Sequence, residues 1–323
     1  MAPESIEPGP SGSASSGAKK IRIAGSISTA SGSDIACPKG LVWDCVNHSC
    51  AYDSVFTILY NVWVRDQVSW SRRLRDISEI LEGLVDGFSG VENGQLSLEA
   101  ARNSARERLH RIDNVRFPTG STPTSIDDLC HLLFNGRRTC RSSSLACSHC
   151  GLNETHVLLY FGEYIRLTAT GPFHDDSHER SFVSDVMGWH LSNRQKRSNR
   201  VCPSCYSAGS SRKLSVHIHM NRMPYMLCVL LQSPRFNINT SLSYTSEGVQ
   251  FEFKLQGVIY CGGSHFVSRY IDLDGVVWYH DGITTASKCV REAHINSLPD
   301  EEWLRSCSRG GQQKMALMAI YTR

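Results

Sequence analysis

Cys50 is followed at once by an apolar run in which Val55, Phe56, Leu59, Tyr60 and Trp63 recur at helical spacing, so the cysteine is expected at or beside the first turn of a buried helix. Unpaired N–H groups and the positive end of the helix dipole stabilise a thiolate there, and the thiolate is the nucleophilic form of the side chain. A small structural cysteine at a buried helix start would read the same way in this window alone.

The chemistry gains partners far downstream. The segments 262–271 and 276–281 alternate in β fashion around an Asp274-Gly275 turn signal. His265 opens one arm and Asp281 closes the other. An imidazole can take the thiol proton, and a carboxylate beside it fixes the ring tautomer. Loop length decides whether the two meet. A two-residue Asp274-Gly275 loop pairs Ser268 with Asp281 and turns the acid away from His265. A three-residue Leu273-Asp274-Gly275 loop pairs Val267 with Asp281 and puts acid and base on one face, with Cα atoms about 7–8 Å apart. Such a loop ends on a left-handed residue, which Gly275 adopts without strain, so the three-residue loop with positive φ at Gly275 is the expectation.

A second set of side chains suits a metal. Cys147-Ser148-His149-Cys150 and Cys202-Pro203-Ser204-Cys205 are two CxxC knuckles, and together they supply the tetrahedral S4 shell that zinc favours. Four protein ligands leave no open position for water, so such a zinc is structural. Coincidence and a single redox-active CxxC are the other readings, and Cys140 and His149 are the substitute ligands.

These groups need elements to hold them. Leu74, Ile77, Ile80, Leu81, Leu84, Val85 and Phe88 form one apolar stripe, and Leu98, Ala101, Ala105, Leu109 and Ile112 form another behind a Ser97 N-cap. Ser125 opens a further short helix. After Cys140 the segments 156–160, 215–220, 225–231 and 250–260 read as strands. A helical block followed by a mostly antiparallel block predicts an α+β enzyme with its cleft between the two. Residues 1–36, rich in Ser, Gly and Pro, read as a disordered tail in which Lys19, Lys20 and Arg22 are solvated charge.

Composition narrows the function classes. Hydrophobic content of 41% and charged content of 20% are those of a globular chain, and a net charge of +3 makes no electrostatic case for nucleic acid or a membrane surface. The longest apolar run, 225–231, is too short to cross a bilayer. Thirteen cysteines without a secretory leader predict an intracellular, reducing compartment.

The motifs in this order resemble the ubiquitin-specific proteases, papain-like cysteine proteases with a helical thumb, an antiparallel β palm and zinc-bearing β fingers. Gly40-Leu41 and Asn47-His48-Ser49-Cys50-Ala51-Tyr52-Asp53-Ser54 are similar to that family's cysteine box. Ser264-His265-Phe266 through Trp278-Tyr279-His280-Asp281 is similar to its histidine box. Met223-Pro224-Tyr225-Met226-Leu227 and Ala316-Leu317-Met318-Ala319-Ile320-Tyr321 are similar to its flanking strands. The resemblance implies a catalytic domain over 37–323, with thumb about 37–135, fingers about 140–235 around one zinc, and palm about 236–323. It implies a hydrolase that cuts after the Gly-Gly terminus of ubiquitin or a ubiquitin-like modifier. Cys50 would be nucleophile, His265 base and Asp281 its orienter, with conjugates of the modifier as partners and neither nucleic acid nor membrane expected.

The chain also departs from the pattern. Where the family places an oxyanion-stabilising Asn, five residues before the nucleophile, this chain has Cys45 with Asp44 beside it. The Cys50 N–H and Asn47 are the remaining donors. Ser264 replaces the Gly before the histidine, and the spacing from Gly40-Leu41 to Cys50 is two residues longer. An inert modifier-binding relative of the same fold is the rival reading. A zinc-knuckle nucleic-acid binder lacks a basic stripe interleaved with aromatics.

Overall fold

Helix α1 (Cys50–Arg65) runs through the middle of the molecule and is buried at every residue from Cys50 to Trp63. A helix apolar on one stripe only would leave a wet face; this one also carries Ser54, Thr57 and Asn61 inward and packs against helices on one side and a sheet on the other. The computed structural model describes residues 37–323 except 136, 138–139, 158–163, 168–180, 186, 188–193, 234–235, 247, 299–301 and 310. The tail 1–36, with Lys19, Lys20 and Arg22, lies outside the described residues, as do 158–160 of one expected strand. Cys37–Arg323 packs as one unit.

The helical block continues with α2 (Gln67–Ile77), α3 (Glu79–Glu92), α4 (Leu98–Ile112) and α5 (Ile126–Phe134). The stripe from Leu74 to Phe88 is therefore split between two helices. Ser78 is extended, with φ −155° and ψ 161°, and its hydroxyl caps α3 by accepting from Leu81 N. Spacing of apolar residues survives such a break because both helices face the same core. Ser97 and Ser125 cap α4 and α5 as expected, accepting from Ala100 N and Asp128 N. Ile112 departs from its stripe: as the last residue of α4 it is 55% exposed.

Two larger sheets follow among the described residues. The first is four-stranded and antiparallel, in the order β2 (Asn153–Val157), β1 (Arg141–Ala146), β6 (Lys213–Met220), β5 (Arg194–Val201), with β3 (Tyr164–Leu167) and β4 (Ser181–Phe182) falling between them in sequence. A short helix, α6 (Pro203–Ser207), joins β5 to β6. The second sheet holds nine strands. Its main path runs β13 (Val290–His294), β12 (Val276–His280), β11 (His265–Ile271), β10 (Val249–Gly262), β15 (Lys314–Thr322), β7 (Met226–Leu231), β3. β9 (Ser241–Ser246) and β14 (Ser306–Cys307) pair alongside, and β8 (Phe236–Asn237) pairs with β4.

β3 and β7 lie within the 140–235 segment expected to form fingers, yet both are strands of the nine-stranded sheet. β7, Met-Leu-Cys-Val-Leu-Leu, is buried at all positions, and only a sheet covered on both faces can take a strand with no polar side. The β3–β7 pair is parallel, an exception in a largely antiparallel sheet.

Candidate active site and metal centre

Cys50 is the first residue of α1, with Ser49 as its N-cap. Ser49 is spent on other work than capping: its hydroxyl donates to Asp53 Oδ2 at 2.6 Å and accepts from Asp44 N at 2.8 Å. The buried Asp53 also accepts from Arg102 at 2.7 Å, and burial pushes its carboxyl up to about 6 against the pull of Arg102 and Ser49.

The histidine arm is placed by two turns. Gly262 pairs with His265, so Gly263 and Ser264 form a two-residue turn, and both have positive φ, +59° and +60°. That is the turn family whose twist matches antiparallel strands, and Ser264 stands where a glycine would be unstrained. At the other end Ile271 pairs with Val277 and Ser268 with His280, which leaves a three-residue loop of Leu273, Asp274 and Gly275. Gly275 has φ +78°. The Asp272 carboxylate ties the loop by accepting from Asp274 N, Val276 N and Trp278 Nε1.

This register delivers the acid to the base. His265 Nε2 lies 2.9 Å from Asp281 Oδ1. Asp281 also accepts from Ile283 N at 3.0 Å and from the Thr284 hydroxyl at 3.0 Å. Burial pushes the Asp281 carboxyl up, but His265, Ile283 N and Thr284 together hold it well below the usual carboxylate range. Burial likewise disfavours the imidazolium of His265, yet the Asp281 carboxylate and then the Cys50 sulfur outweigh it and raise the ring to about 9. The bond to Asp281 occupies Nε2, which leaves Nδ1 for the sulfur. Trp43 meets the His265 ring edge-on at 6.5 Å.

The raised histidine has a measurable consequence. A pKa raised in the folded state contributes stability that is complete below the unfolded value of 6.5 and is lost as pH rises through about 9. The stability advantage of the wild-type chain over His265→Ala is therefore expected to shrink between pH 6.5 and about 9, read by denaturant unfolding at a series of pH values. An advantage that stays flat across that window would count against a charged His265–Asp281 pair.

Gly40-Leu41 is stitched to the same arm by His280. A Cβ at Gly40 would sit 2.2 Å from the His280 ring, and His280 Nε2 lies 3.1 Å from Leu41 N. Only glycine allows that approach.

Asp44 Oδ1 accepts from Val46 N and Asn47 N, and Oδ2 accepts from Asn47 Nδ2 at 2.8 Å. Its carboxylate shapes the loop before Cys50. Asn47 Oδ1 in turn accepts from Gly120 N at 3.1 Å, so both polar atoms of the Asn47 amide already have partners. Of the two Nδ2 hydrogens of Asn47, one is engaged by Asp44. Cys45 is exposed. Sequence reasoning passed over Arg102 and Arg106, both buried and both bonded to this loop. Their one signal was a pair of arginines four apart beside the α4 stripe.

The two CxxC knuckles converge. Cys147 and Cys205 sulfurs are 3.7 Å apart, Cys150 and Cys202 3.5 Å, and all four lie within 4.8 Å of one another. A tetrahedron with metal–sulfur bonds of ~2.3 Å has sulfur–sulfur edges of ~3.8 Å, so the set fits one ion. Backbone N–H groups of Cys150 and His149 pull the Cys147 thiol down to about 6, toward the ligating form. Cys140 and His149 are outside the cluster.

Neither a family model nor a curated protein matches the sequence. Solved structures resemble the fold. The SAGA DUB module of Ubp8, Sgf11, Sus1 and Sgf73 bound to monoubiquitin aligns with TM-score 0.52 and 13% identity over 88% of this chain and 68% of that one. The same module bound to ubiquitin aldehyde aligns with TM-score 0.50 and 14% identity over 88% and 69%. At such identity the likeness speaks for the fold alone: this chain has the α+β architecture of a ubiquitin-specific protease, with a cysteine cluster able to hold a metal ion.

Proposed function

We propose that the chain is a thiol hydrolase that cleaves the isopeptide or peptide bond after the C-terminal Gly-Gly of ubiquitin or a ubiquitin-like modifier. The observation that carries the reading is the His265–Asp281 pair, whose raised imidazole also feels the sulfur of the helix-leading Cys50. The likeness of the fold to modules bound to ubiquitin supports the choice of substrate class.

In this reading His265 Nδ1 takes the Cys50 proton and the thiolate attacks the carbonyl carbon of the terminal glycine. The oxyanion is met by N–H groups at the first turn of α1, the Cys50 N–H among them. The leaving amine takes its proton from His265, and a thioester to Cys50 remains. Water then attacks the thioester with His265 as base, which releases the modifier and restores the thiol. Asp281 holds the ring and its charge throughout. Cys147, Cys150, Cys202 and Cys205 would hold a zinc ion, which would tie the two knuckles together and leave bond breaking to the Cys50 site.

The test is a panel of electrophilic probes carrying ubiquitin, a SUMO-type modifier or a NEDD-type modifier. Labelling of Cys50 by one of the three is the expected result. Tight binding of a modifier without labelling would replace this reading with an inert binder of the same fold.

A further inference from the structure

We infer that Arg102 and Arg106 of α4 are positioning residues that hold residues 42–49, the backbone leading into Cys50, in the conformation that stabilises the oxyanion. The inference rests on the hydrolase reading above and adds to it the groups that make the loop competent.

Both arginines are buried: Arg102 is 3% and Arg106 9% exposed. Burying an arginine forfeits hydration and orders a long side chain, so it persists where its donors meet specific acceptors. Here nearly all the acceptors belong to one loop and the helix turn after it. Arg102 Nη1 donates to Val42 O at 2.7 Å, to Ser49 Oγ at 3.3 Å and to Asp53 Oδ1 at 2.7 Å. Its Nε donates to Asn103 on its own helix. Arg106 Nη2 donates to Asn47 O at 2.7 Å, and its Nη1 lies 3.8 Å from Asp44 Oδ2. The Arg106 guanidinium also stacks over the Tyr52 ring at 4.8 Å. The two arginines thus grip the loop at its start, at Val42, and near its end, at Asn47.

The grip at Asn47 matters most because of the next residue. His48 has φ +46°, a left-handed conformation that a residue with a Cβ adopts only when its surroundings enforce it. Relaxing that angle would swing the peptide between Asn47 and His48, and Arg106 holds that peptide by its carbonyl oxygen. His48 is two residues from Cys50, so its φ helps set the direction of the Cys50 N–H. Asp44 and Asn47 shape the loop from within, and the arginines fasten it to α4 from outside. A contact serving the fold alone would be met as well by apolar side chains of similar volume; capturing carbonyls that project from a loop requires a fork of donors.

The experiment compares the wild-type chain with Arg106→Lys, which keeps the charge but loses the planar fork, and Arg106→Gln. Three reactions at Cys50 are measured. Alkylation by iodoacetamide builds no oxyanion and reports thiolate reactivity alone. Hydrolysis of a fluorogenic C-terminal amide of ubiquitin, and inhibition of alkylation by acetyl-Gly-Gly-aldehyde, both build a tetrahedral centre. Arg106→Lys is expected to lower kcat by about tenfold to a hundredfold, with KM and the alkylation rate within about threefold of wild type. Aldehyde affinity should weaken in parallel with kcat. An unchanged kcat, or alkylation falling in step with hydrolysis, overturns the assignment. A wild-type chain that fails to hydrolyse the ubiquitin amide rejects that substrate, and the aldehyde comparison then decides separately: equal affinity in wild type and Arg106→Lys overturns the clamp, weaker affinity supports it. Should Arg106→Gln fail to fold, Arg106→Lys carries the comparison.

Discussion

Cys50→Ala is expected to abolish probe labelling and to lower hydrolysis by a factor on the order of ten thousand or more, as removal of a nucleophile does in thiol and serine hydrolases. The chain should otherwise be little disturbed. Cys50 is 6% exposed but small, and the helix it opens is anchored by Tyr52, Val55, Phe56, Leu59 and Trp63, all buried in the main core. The thermal transition is therefore expected to stay within a few degrees of wild type. Two other cysteines stand nearby in sequence and serve as controls. Cys45 is exposed, and the Cys37 thiol lies 3.2 Å from the carbonyl of Cys289. Alanine at either should leave labelling intact. Substantial hydrolysis by Cys50→Ala, with loss of activity in Cys45→Ala or Cys37→Ala, would move the nucleophile and dismantle the proposed mechanism.

The second large effect concerns the metal. Among the described residues, the buried cluster of the four-stranded sheet is Leu145, Cys147, Cys202, Cys205 and Leu214, with Leu152 and Val216 packed at the side. Three of those five buried residues are candidate ligands, so the sheet is expected to depend on an ion for its stability. Structural zinc contributes roughly 10–16 kcal/mol of apparent binding free energy in small domains, far more than a cluster of this size supplies. The wild-type chain is expected to carry about one zinc, and Cys202→Ser with Cys205→Ser to carry almost none. Amide exchange in β1, β5 and β6 should accelerate strongly in the double variant, while α1 and β11 stay protected. Metal-free wild-type protein with full protection of β6 would show that four thiols alone hold the knuckles together. That outcome would leave the Cys50 chemistry standing, because neither knuckle contributes a group to it.

Some of this was legible in the chain alone. Cys50 at a helix start followed from apolar periodicity, which is local and unambiguous over 55–63. The hairpin followed from arithmetic: side chains alternate strictly, so a loop of three residues and not two was the condition for His265 to meet Asp281, and Gly275 was the residue able to close it. The CxxC spacing marked the four cysteines that converge, since each knuckle is a local structure.

Other features depended on partners distant in sequence. Periodicity could not see the break at Ser78, because α2 and α3 turn their apolar faces to one core. It could not assign β7 to the nine-stranded sheet, because an apolar run reads alike in any covered sheet. It gave no role to Arg102 and Arg106, whose acceptors are carbonyls and carboxylates of another segment. Sequence pattern determines which way a side chain faces on its own element. Packing of α1 against β11 and of α4 against the loop before Cys50 decides what that side chain meets, and that meeting is where the chemistry arises.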